Sequence, residues 1–319
     1  MTSSVEATSK ECPTSAGRKR LIENKPVNAT DSIDYDAEPV TAVGSMPKKR
    51  FYRQRAHCNP LSHNNAFSYP CDGPDGMDWT ADHFPNHPLL AIGREAKSIR
   101  PTVLDIGCGF GGLTVALSKI LPNETVLGME IRAKVTEYVR LRISALRSES
   151  DKGEYQNTSV MRTNSMKFLP FFFPGASVKK LFFCFPDPHF KRKNHPRRII
   201  STRLLSEYAH ILVDNGRLYA ITDVEELHQW HVKMCDAHPS FERIEEKCDP
   251  CISAMVDSTE EGKKVARNKQ SKYFCVYRRI PVQKCLELGG VNVEDFWNVT
   301  NFGVEWVSDN DVDRTENKN

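Results

Sequence analysis

A glycine-rich turn preceded by an acidic residue is the first feature of this sequence that could do chemistry. The segment VLDIGCGFGG runs from Val103 to Gly112, and Gly107, Gly109 and Gly112 fit the pattern G-x-G-x-x-G. Glycines here let a ligand approach the backbone closely and let a helix begin tightly against the preceding strand. The pattern alone fits a dinucleotide site or a plain tight turn, so neighbouring residues must decide between ligands.

Two carboxylates near this turn bear on the ligand. Asp105 stands two residues before Gly107, where it would repel a bound pyrophosphate but attract the ammonium group of an amino-acid cofactor. Glu130 ends the next apolar run, where a carboxylate can accept hydrogen bonds from both hydroxyls of a ribose. A dinucleotide and an amino-acid cofactor that carries a nucleoside both contain a ribose, so Glu130 does not distinguish between them. Asp105 therefore favours an amino-acid cofactor over a dinucleotide. The segment VLDIGCGFG also resembles the first motif of S-adenosylmethionine-dependent methyltransferases, hydrophobic-Asp-x-Gly-x-Gly.

A third acid, Asp187, stands between Pro186 and Pro188, directly after the apolar run LFFCF. Prolines on both sides restrict the backbone and cannot donate hydrogen bonds, so we expect the carboxylate to be held rigidly at the mouth of the cleft. An acid in this place is a candidate for substrate contact. The alternative is an Asp that only caps a turn.

A basic run follows Asp187. Seven of its ten residues are basic or potentially basic, namely His189, Lys191, Arg192, Lys193, His195, Arg197 and Arg198. Such a run is often only solvated surface, but this one adjoins the candidate reaction centre. We therefore expect phosphate binding by Lys191, Arg192, Lys193, Arg197 and Arg198.

The elements that must position these residues alternate along the chain. Apolar runs predict strands at 102–106, 125–130, 159–163, 180–185 and 217–222, with two final strands in FERIEE and YFCVYRR. Helical spacing predicts helices at 113–121, 134–147, 199–212 and about 225–238. This alternation is typical of an α/β fold with a mostly parallel sheet covered by helices on both faces, in which ligands bind beyond the carboxyl ends of the strands.

Charge is distributed unevenly over the chain of 319 residues. Its net charge is +3, but residues 47–280 hold 36 basic and 26 acidic residues, while 1–46 and 281–319 carry −2 and −5. A basic domain of this size favours a polyanionic partner. We expect a disordered N-terminal tail at 1–46, a folded domain at 47–280, and an acidic, flexible extension at 281–319.

No segment predicts a membrane span or a secretory signal, so we expect a soluble intracellular protein. Ten cysteines in such a chain are interpreted as reduced thiols. Only Cys248 and Cys251 stand at a C-x-x-C spacing, which is half a zinc site, and neither His189 nor His195 completes a metal constellation. We predict no metal.

Five motifs in order carry a family resemblance: KKRFYRQRAHCNP, VLDIGCGFGGL, GMEIRAKV, FPDPHFKRKNHPRRI and STEEGKKV. Together they resemble the catalytic subunit of eukaryotic tRNA (guanine-N7)-methyltransferases over about residues 48–280. The resemblance implies a Rossmann-like, seven-stranded sheet that is mostly parallel with an antiparallel last strand pair. It also implies methyl transfer from S-adenosylmethionine to N7 of a guanine in tRNA.

The resemblance further implies roles for single residues. Asp187 corresponds to the family's active-site acid. The cofactor contacts would be Gly107, Glu130, Ile131, Arg132, Asn164, Ser165, Cys184, Thr259 and Glu261. The family commonly has a small apolar residue at Ser165 and an apolar one at Cys184, so only backbone contacts are carried over there. Ser258 to Glu261 also fit a capping box that opens a helix.

Two other functions remain open from the sequence. The segment Asp187-Pro188-His189-Phe190 is similar to the D-P-P-[YF] motif of exocyclic-amine methyltransferases, with His189 in place of the second proline. A non-enzymatic RNA-binding protein with a vestigial Rossmann domain is the other. The intact acids Asp105, Glu130 and Asp187 argue against it.

The resemblance implies two expectations beyond the chain itself. Members of the family work with a non-catalytic WD40-repeat propeller subunit, which predicts a heterodimer. The basic clusters Arg18-Lys19-Arg20 and Lys48-Lys49-Arg50 predict residence in the nucleus, with the cytoplasm as a second location.

Overall fold

The computed structural model describes residues 44–55, 58–62, 67–245 and 248–289. Most of the predicted N-terminal tail and the end of the predicted acidic extension, residues 1–43 and 290–319, lie outside the described residues, as does the cluster Arg18-Lys19-Arg20. The first part of that extension, Val282–Gly289, forms a helix.

A seven-stranded sheet forms the centre of the described structure. Its strands are β1 (Val103–Ile106), β2 (Val126–Glu130), β3 (Thr158–Arg162), β4 (Val178–Cys184), β5 (Leu212–Thr222), β6 (Phe241–Arg243) and β7 (Tyr273–Arg279). Their order is β3-β2-β1-β4-β5-β7-β6, and β7 is antiparallel to both neighbours while the other pairs are parallel. The predicted fold class is confirmed.

Helices connect and cover these strands. The α-helices in the described residues are α1 (Trp79–Asp82), α2 (Pro88–Ala91), α3 (Gly112–Ile120), α4 (Ala133–Glu149), α5 (Ser165–Phe172), α6 (Thr202–Ile211), α7 (Glu225–Asp236), α8 (Pro250–Asp257), α9 (Glu260–Arg267) and α10 (Val282–Gly289). Short 3-10 helices include Lys49–Tyr52 and Arg192–Arg197. No helix of the described residues is long and apolar enough to cross a membrane.

The apolar core lies on both faces of the sheet, because successive strand residues point to opposite sides. On β4, Leu181 and Phe183 pack with α5, α6 and α7, whereas Phe182 packs with α3 and α8. We call these the α6 face and the α3 face. Burial of four or five consecutive residues in β1 and β2 explains why these strands are continuous apolar runs rather than alternating ones.

Candidate active site

The glycine-rich turn leaves open space at the carboxyl edge of the sheet. Gly107 and Gly109 have φ angles of 72° and 56°, which favour glycine. A Cβ added to Gly107 would meet no atom within 4 Å. A Cβ at Gly112 would instead lie 2.3 Å from the carbonyl oxygen of Ser258. Glycine at 107 therefore leaves room for a ligand, and glycine at 112 lets α3 begin directly against the segment before α9.

Glu130 is the most fully engaged acid of the site. Its carboxylate is 3% exposed and accepts hydrogen bonds from the backbone N–H groups of Gly109, Ile131 and Arg132 at 3.1, 2.8 and 3.0 Å. The Arg132 guanidinium also donates to both carboxylate oxygens, at 3.0 and 2.8 Å. Glu130 is thus a buried and fully hydrogen-bonded acid. It links the turn after β1 to the turn after β2.

We expect Glu130→Ala to weaken binding of S-adenosylhomocysteine about 10- to 150-fold, because a hydrogen-bonded charged group contributes about 1.5–3 kcal/mol. Isothermal titration calorimetry measures this directly. Glu154→Ala is the control, since Glu154 pairs with Lys119 on the surface. Unchanged affinity in a Glu130 variant that melts cooperatively would remove the ribose contact from Glu130.

Asp105 lies deeper than the sequence suggests. It is 1% exposed, and its carboxylate accepts a hydrogen bond of 2.7 Å from the Thr114 hydroxyl on α3. Burial raises the pKa of Asp105 to about 7, and the nearby charges of Glu260 and Glu130 also raise it. The described structure therefore uses Asp105 to fix α3 against β1. An approaching ammonium group would favour the ionised form of this buried acid.

Three of the expected cofactor residues lie at the carboxyl ends of β3 and β4. Asn164 is 5% exposed, caps α5 by accepting from Met166 N at 3.2 Å, and donates to the Pro60 carbonyl oxygen at 2.6 Å. Ser165 begins α5, and Cys184 ends β4. Burial raises the pKa of the Cys184 thiol well above its usual value, so this cysteine behaves as a small apolar group. The structure thus places all three residues at the same edge of the sheet as Glu130.

The start of α9 differs from the capping box that the sequence predicts for Ser258 to Glu261. Thr259, not Ser258, is the N-cap of α9, and its hydroxyl accepts from Gly262 N at 2.9 Å, so the predicted capping box is wrong. The side chain of Glu261 is 46% exposed and pairs with Lys264 at 2.6 Å. Its expected contact with the cofactor stays a prediction.

The acid next to Glu261, Glu260, contacts the glycine-rich turn. Its carboxylate accepts from Gly112 N at 3.2 Å, from Arg142 at 3.0 Å and from Lys49 at 2.9 Å. Burial alone would raise the pKa of Glu260, but its bonds and charge interactions with Lys49 and Arg142 lower it. Glu260, on α9, therefore connects the glycine-rich turn to α4 through Arg142 and to the 3-10 helix Lys49–Tyr52 through Lys49. Its neighbours come from distant parts of the chain, so no local pattern signals this role.

Asp187 lies on a constrained loop after β4. The residues two before and two after it, Phe185 and His189, have φ angles of 50° and 45°, which are rare for residues with side chains. The backbone N–H of His189 donates to Asp187 at 3.3 Å, and the Asp187 side chain is 29% exposed. The carboxylate therefore lies on a conformationally constrained loop and is accessible from solvent. The φ angle of His189 is also closed to proline, so this loop cannot have the backbone of a D-P-P-F motif.

Arg198 was expected to bind phosphate, but the structure buries it. It is 2% exposed, its Nε donates to the Pro188 carbonyl oxygen at 2.9 Å, and its guanidinium pairs with Glu226 at 2.9 Å and lies 4.7 Å from the Trp230 ring centre. A side chain so enclosed cannot bind RNA. It fixes the carbonyl next to Asp187, so its role is to position the loop.

The other basic residues of the run remain available to a ligand. Lys191, Arg192 and Lys193 are exposed, and Arg197 is half-buried. Lys191 precedes a 3-10 helix, Arg192–Arg197, that contains the other three. The chain after this helix is held at the α6 face, where Trp230 donates to the Ile200 carbonyl oxygen at 2.8 Å. The run is thus a charged surface on a firmly anchored loop.

The residues at this edge fit S-adenosylmethionine: open space above Gly107, a ribose-accepting acid at Glu130, and an accessible acid at Asp187. Within the described residues no group of three His, Cys, Asp or Glu side chains could hold a metal ion. Fold and site together define a class I S-adenosylmethionine-dependent methyltransferase. The profile of a family described as "Putative methyltransferase" matches residues 99–275.

Curated relatives narrow this class. The tRNA (guanine-N(7)-)-methyltransferase of Vanderwaltozyma polyspora is 52% identical over 240 residues, 74% of this chain and 82% of the relative. The enzyme of the same description from Yarrowia lipolytica is 49% identical over 261 residues, 81% of this chain and 85% of the relative. The chain belongs to the tRNA (guanine-N7)-methyltransferase family.

Solved structures resemble this chain less closely than the curated relatives do. The 16S rRNA methyltransferase KamB gives a TM-score of 0.42 at 14% identity over 57% of this chain and 88% of that chain. An S-adenosylmethionine-dependent methyltransferase from Aquifex aeolicus gives 0.38 at 14% identity over 65% and 95%. Scores this low support no inference about function.

Proposed function

We propose that this chain transfers the methyl group of S-adenosylmethionine to N7 of a guanine in tRNA, giving 7-methylguanosine and S-adenosylhomocysteine. The observation that carries this proposal is the identity of about half of the aligned residues with tRNA (guanine-N(7)-)-methyltransferases over at least 74% of the chain. Those relatives, unlike exocyclic-amine methyltransferases, are named for N7 as acceptor.

The site residues are consistent with an attack that needs no general base. Guanine N7 has an in-plane lone pair and no proton, so Asp187 has no proton to remove before attack. When bound, S-adenosylmethionine supplies the sulfonium methyl. Glu130 and the turn at Gly107 hold the cofactor end of the cleft, while the Asp187 loop presents the base. Positioning of two reactants in this way can supply about 7–11 kcal/mol.

Asp187 has two tasks in this scheme. Its carboxylate accepts hydrogen bonds from the Watson–Crick edge of guanine, which carries N–H donors. Because positive charge moves onto the purine during transfer, the same carboxylate stabilises the cationic ring. Arg198 acts through the Pro188 carbonyl, and it keeps the carboxylate in place without touching the substrate.

The product itself tests the function. A 7-methylguanine ring is cationic and opens more readily than its parent, so tRNA treated with the protein and S-adenosylmethionine should be cut at one main guanine by borohydride followed by aniline. Denaturing gel electrophoresis of end-labelled tRNA gives the position. The same tRNA incubated without the cofactor is the control. Methyl incorporation without any aniline-sensitive site would contradict N7 as the acceptor.

A WD40-repeat propeller subunit is the proposed protein partner, by resemblance to the family. An exposed aromatic patch supports the existence of a protein-binding surface. Tyr69 and Phe171 are each 41% exposed, and the Tyr69 ring lies 4.9 Å from Phe168 and 4.8 Å from Phe171 between ring centres. Exposed aromatic groups of this kind are enriched where proteins bind one another.

Nuclear residence is proposed as well, with a second pool in the cytoplasm. It rests on the basic residues Lys48 to Arg50. The structure gives Lys49 a further role, because it pairs with Glu260 and lies 5.3 Å from the Phe110 ring centre. Lys48 and Arg50 are exposed and so remain accessible to an import receptor.

A further inference from the structure

A second basic surface lies on α9, separate from the run after Asp187. A groove of about 630 Å³ is lined by the cations Lys49, Lys263, Arg267 and Lys272 and by the acids Asp257 and Glu260. Both acids are already paired, Glu260 with Lys49 and Asp257 with Lys272 at 3.8 Å. The groove therefore keeps a net positive charge.

The two remaining cations of the groove have no carboxylate partner in the described part of the chain. Lys263 and Arg267 are both exposed. They are four residues apart on α9, so they lie on the same side of the helix one turn apart. Lys264, between them, is paired with Glu261. An unpaired, regularly spaced pair of cations in a concave surface suits successive phosphate groups.

The groove also touches the reaction site at two points. Glu260 lines the groove and its carboxylate accepts a hydrogen bond from Gly112 N at the glycine turn. Gly262 also lines the groove, and a Cβ added to it would lie 3.5 Å from the ring of Phe185, which stands two residues before Asp187. Phe185 belongs to the α3 face, whereas Ile199 and Ile200, after the basic run, belong to the α6 face. The two basic surfaces therefore flank Asp187 from opposite faces of the sheet.

We propose that the α9 groove binds the phosphate backbone of the substrate RNA on the side of Asp187 opposite to residues 191–197. This inference rests on the proposed function and adds a second RNA-binding surface to it. A nucleotide presented to Asp187 is continuous with RNA on both sides. Lys191 to Lys193 would hold one flank, and Lys263 with Arg267 would hold the other.

The test compares three variants of the full chain in tRNA binding at several salt concentrations. For Lys263→Ala/Arg267→Ala we expect weaker binding and a log–log salt slope reduced by about 0.7–0.9 for each phosphate that the protein no longer neutralises. The triple variant Lys191→Ala/Arg192→Ala/Lys193→Ala should behave similarly. Lys119→Ala/Lys179→Ala is the charge-matched control, because these lysines pair with Glu154 and Glu124 at the opposite end of the strands.

Calorimetry with S-adenosylhomocysteine should give wild-type affinity for the groove variant, which shows that the cofactor site is intact. The groove proposal is overturned if the salt slope of Lys263→Ala/Arg267→Ala stays at the wild-type value, or if Lys119→Ala/Lys179→Ala reduces it equally. Either result can occur while the wild-type protein methylates tRNA. A wild-type protein that transfers no methyl group to tRNA would instead overturn the proposed function.

Discussion

We expect Asp187→Ala to lower the kcat of methyl transfer to tRNA by about 10²- to 10³-fold, the loss typical when one preorganised electrostatic group is removed from an active site. The carboxylate is 29% exposed on a loop whose neighbours are fixed by Arg198 and by unusual backbone angles. Its loss should therefore remove charge and hydrogen bonding without moving the cofactor residues. Single-turnover rates at saturating tRNA and S-adenosylmethionine measure the effect.

The variant Asp187→Asn separates the two tasks of this acid. Asparagine keeps an oxygen that can accept from His189 N, so the loop should retain its shape. If charge stabilisation of the purine matters, Asp187→Asn should still lose most of the turnover. Both variants should bind S-adenosylhomocysteine as wild type does and should melt at a similar temperature. Near-wild-type rates in both would remove Asp187 from the mechanism.

The sequence predicted the sheet well because its buried strands are short, continuous apolar runs. β1 and β2 begin one residue later than expected, and β5 begins five residues earlier, at Leu212. That early start was hidden by Asp214-Asn215-Gly216, which resembles a turn, and Asn215 indeed has a φ of 62° within the strand. A register shift between β4 and β5 accommodates it, and a single sequence gives no signal for such an irregularity.

Short helices were the harder elements. α5 has Pro170 inside it and spans eight residues, so its apolar run showed no clear helical period. α8 begins after Asp249, which caps it through Cys251 N at 2.9 Å. Asp249-Pro250 is a typical helix start. It was not interpreted as one, because it lies between Cys248 and Cys251, whose spacing resembles half of a zinc site. The short helices α1 and α2 precede the first predicted strand, in a stretch rich in Pro, Asn and Asp for which the sequence predicted no helix.

At the site, the motifs predicted which segments meet at the carboxyl edge of the sheet, but not the contacts that each side chain makes. Glu130 and Asp187 follow directly from strand ends, where the fold fixes their position. Arg198 could not be separated from its neighbours, because only the packing of α7 shows that Trp230 and Glu226 enclose it. Glu260 and Glu261 are adjacent acids on one helix, and a rotation of about 100° decides which of them faces the glycine turn.

The decisive substrate prediction concerns the accepting atom. tRNA made with 7-deazaguanine replaces N7 by carbon, which has no in-plane lone pair, while it keeps the Watson–Crick edge and every phosphate. Such RNA should bind with an affinity similar to that of the ordinary transcript, because the contacts proposed for Asp187, Lys191 to Lys193 and the α9 groove all remain. It should accept no methyl group.

The control for this experiment is the ordinary transcript of the same tRNA, assayed with methyl-labelled S-adenosylmethionine in parallel. If the acceptor were an exocyclic amine, the 7-deaza RNA would keep that amine and would be methylated at the normal rate, which would overturn the proposed function. If instead the 7-deaza RNA binds and stays unlabelled, the reaction requires N7. The separate binding measurement matters here, because it distinguishes the loss of the nucleophile from a failure to dock the RNA beside Asp187.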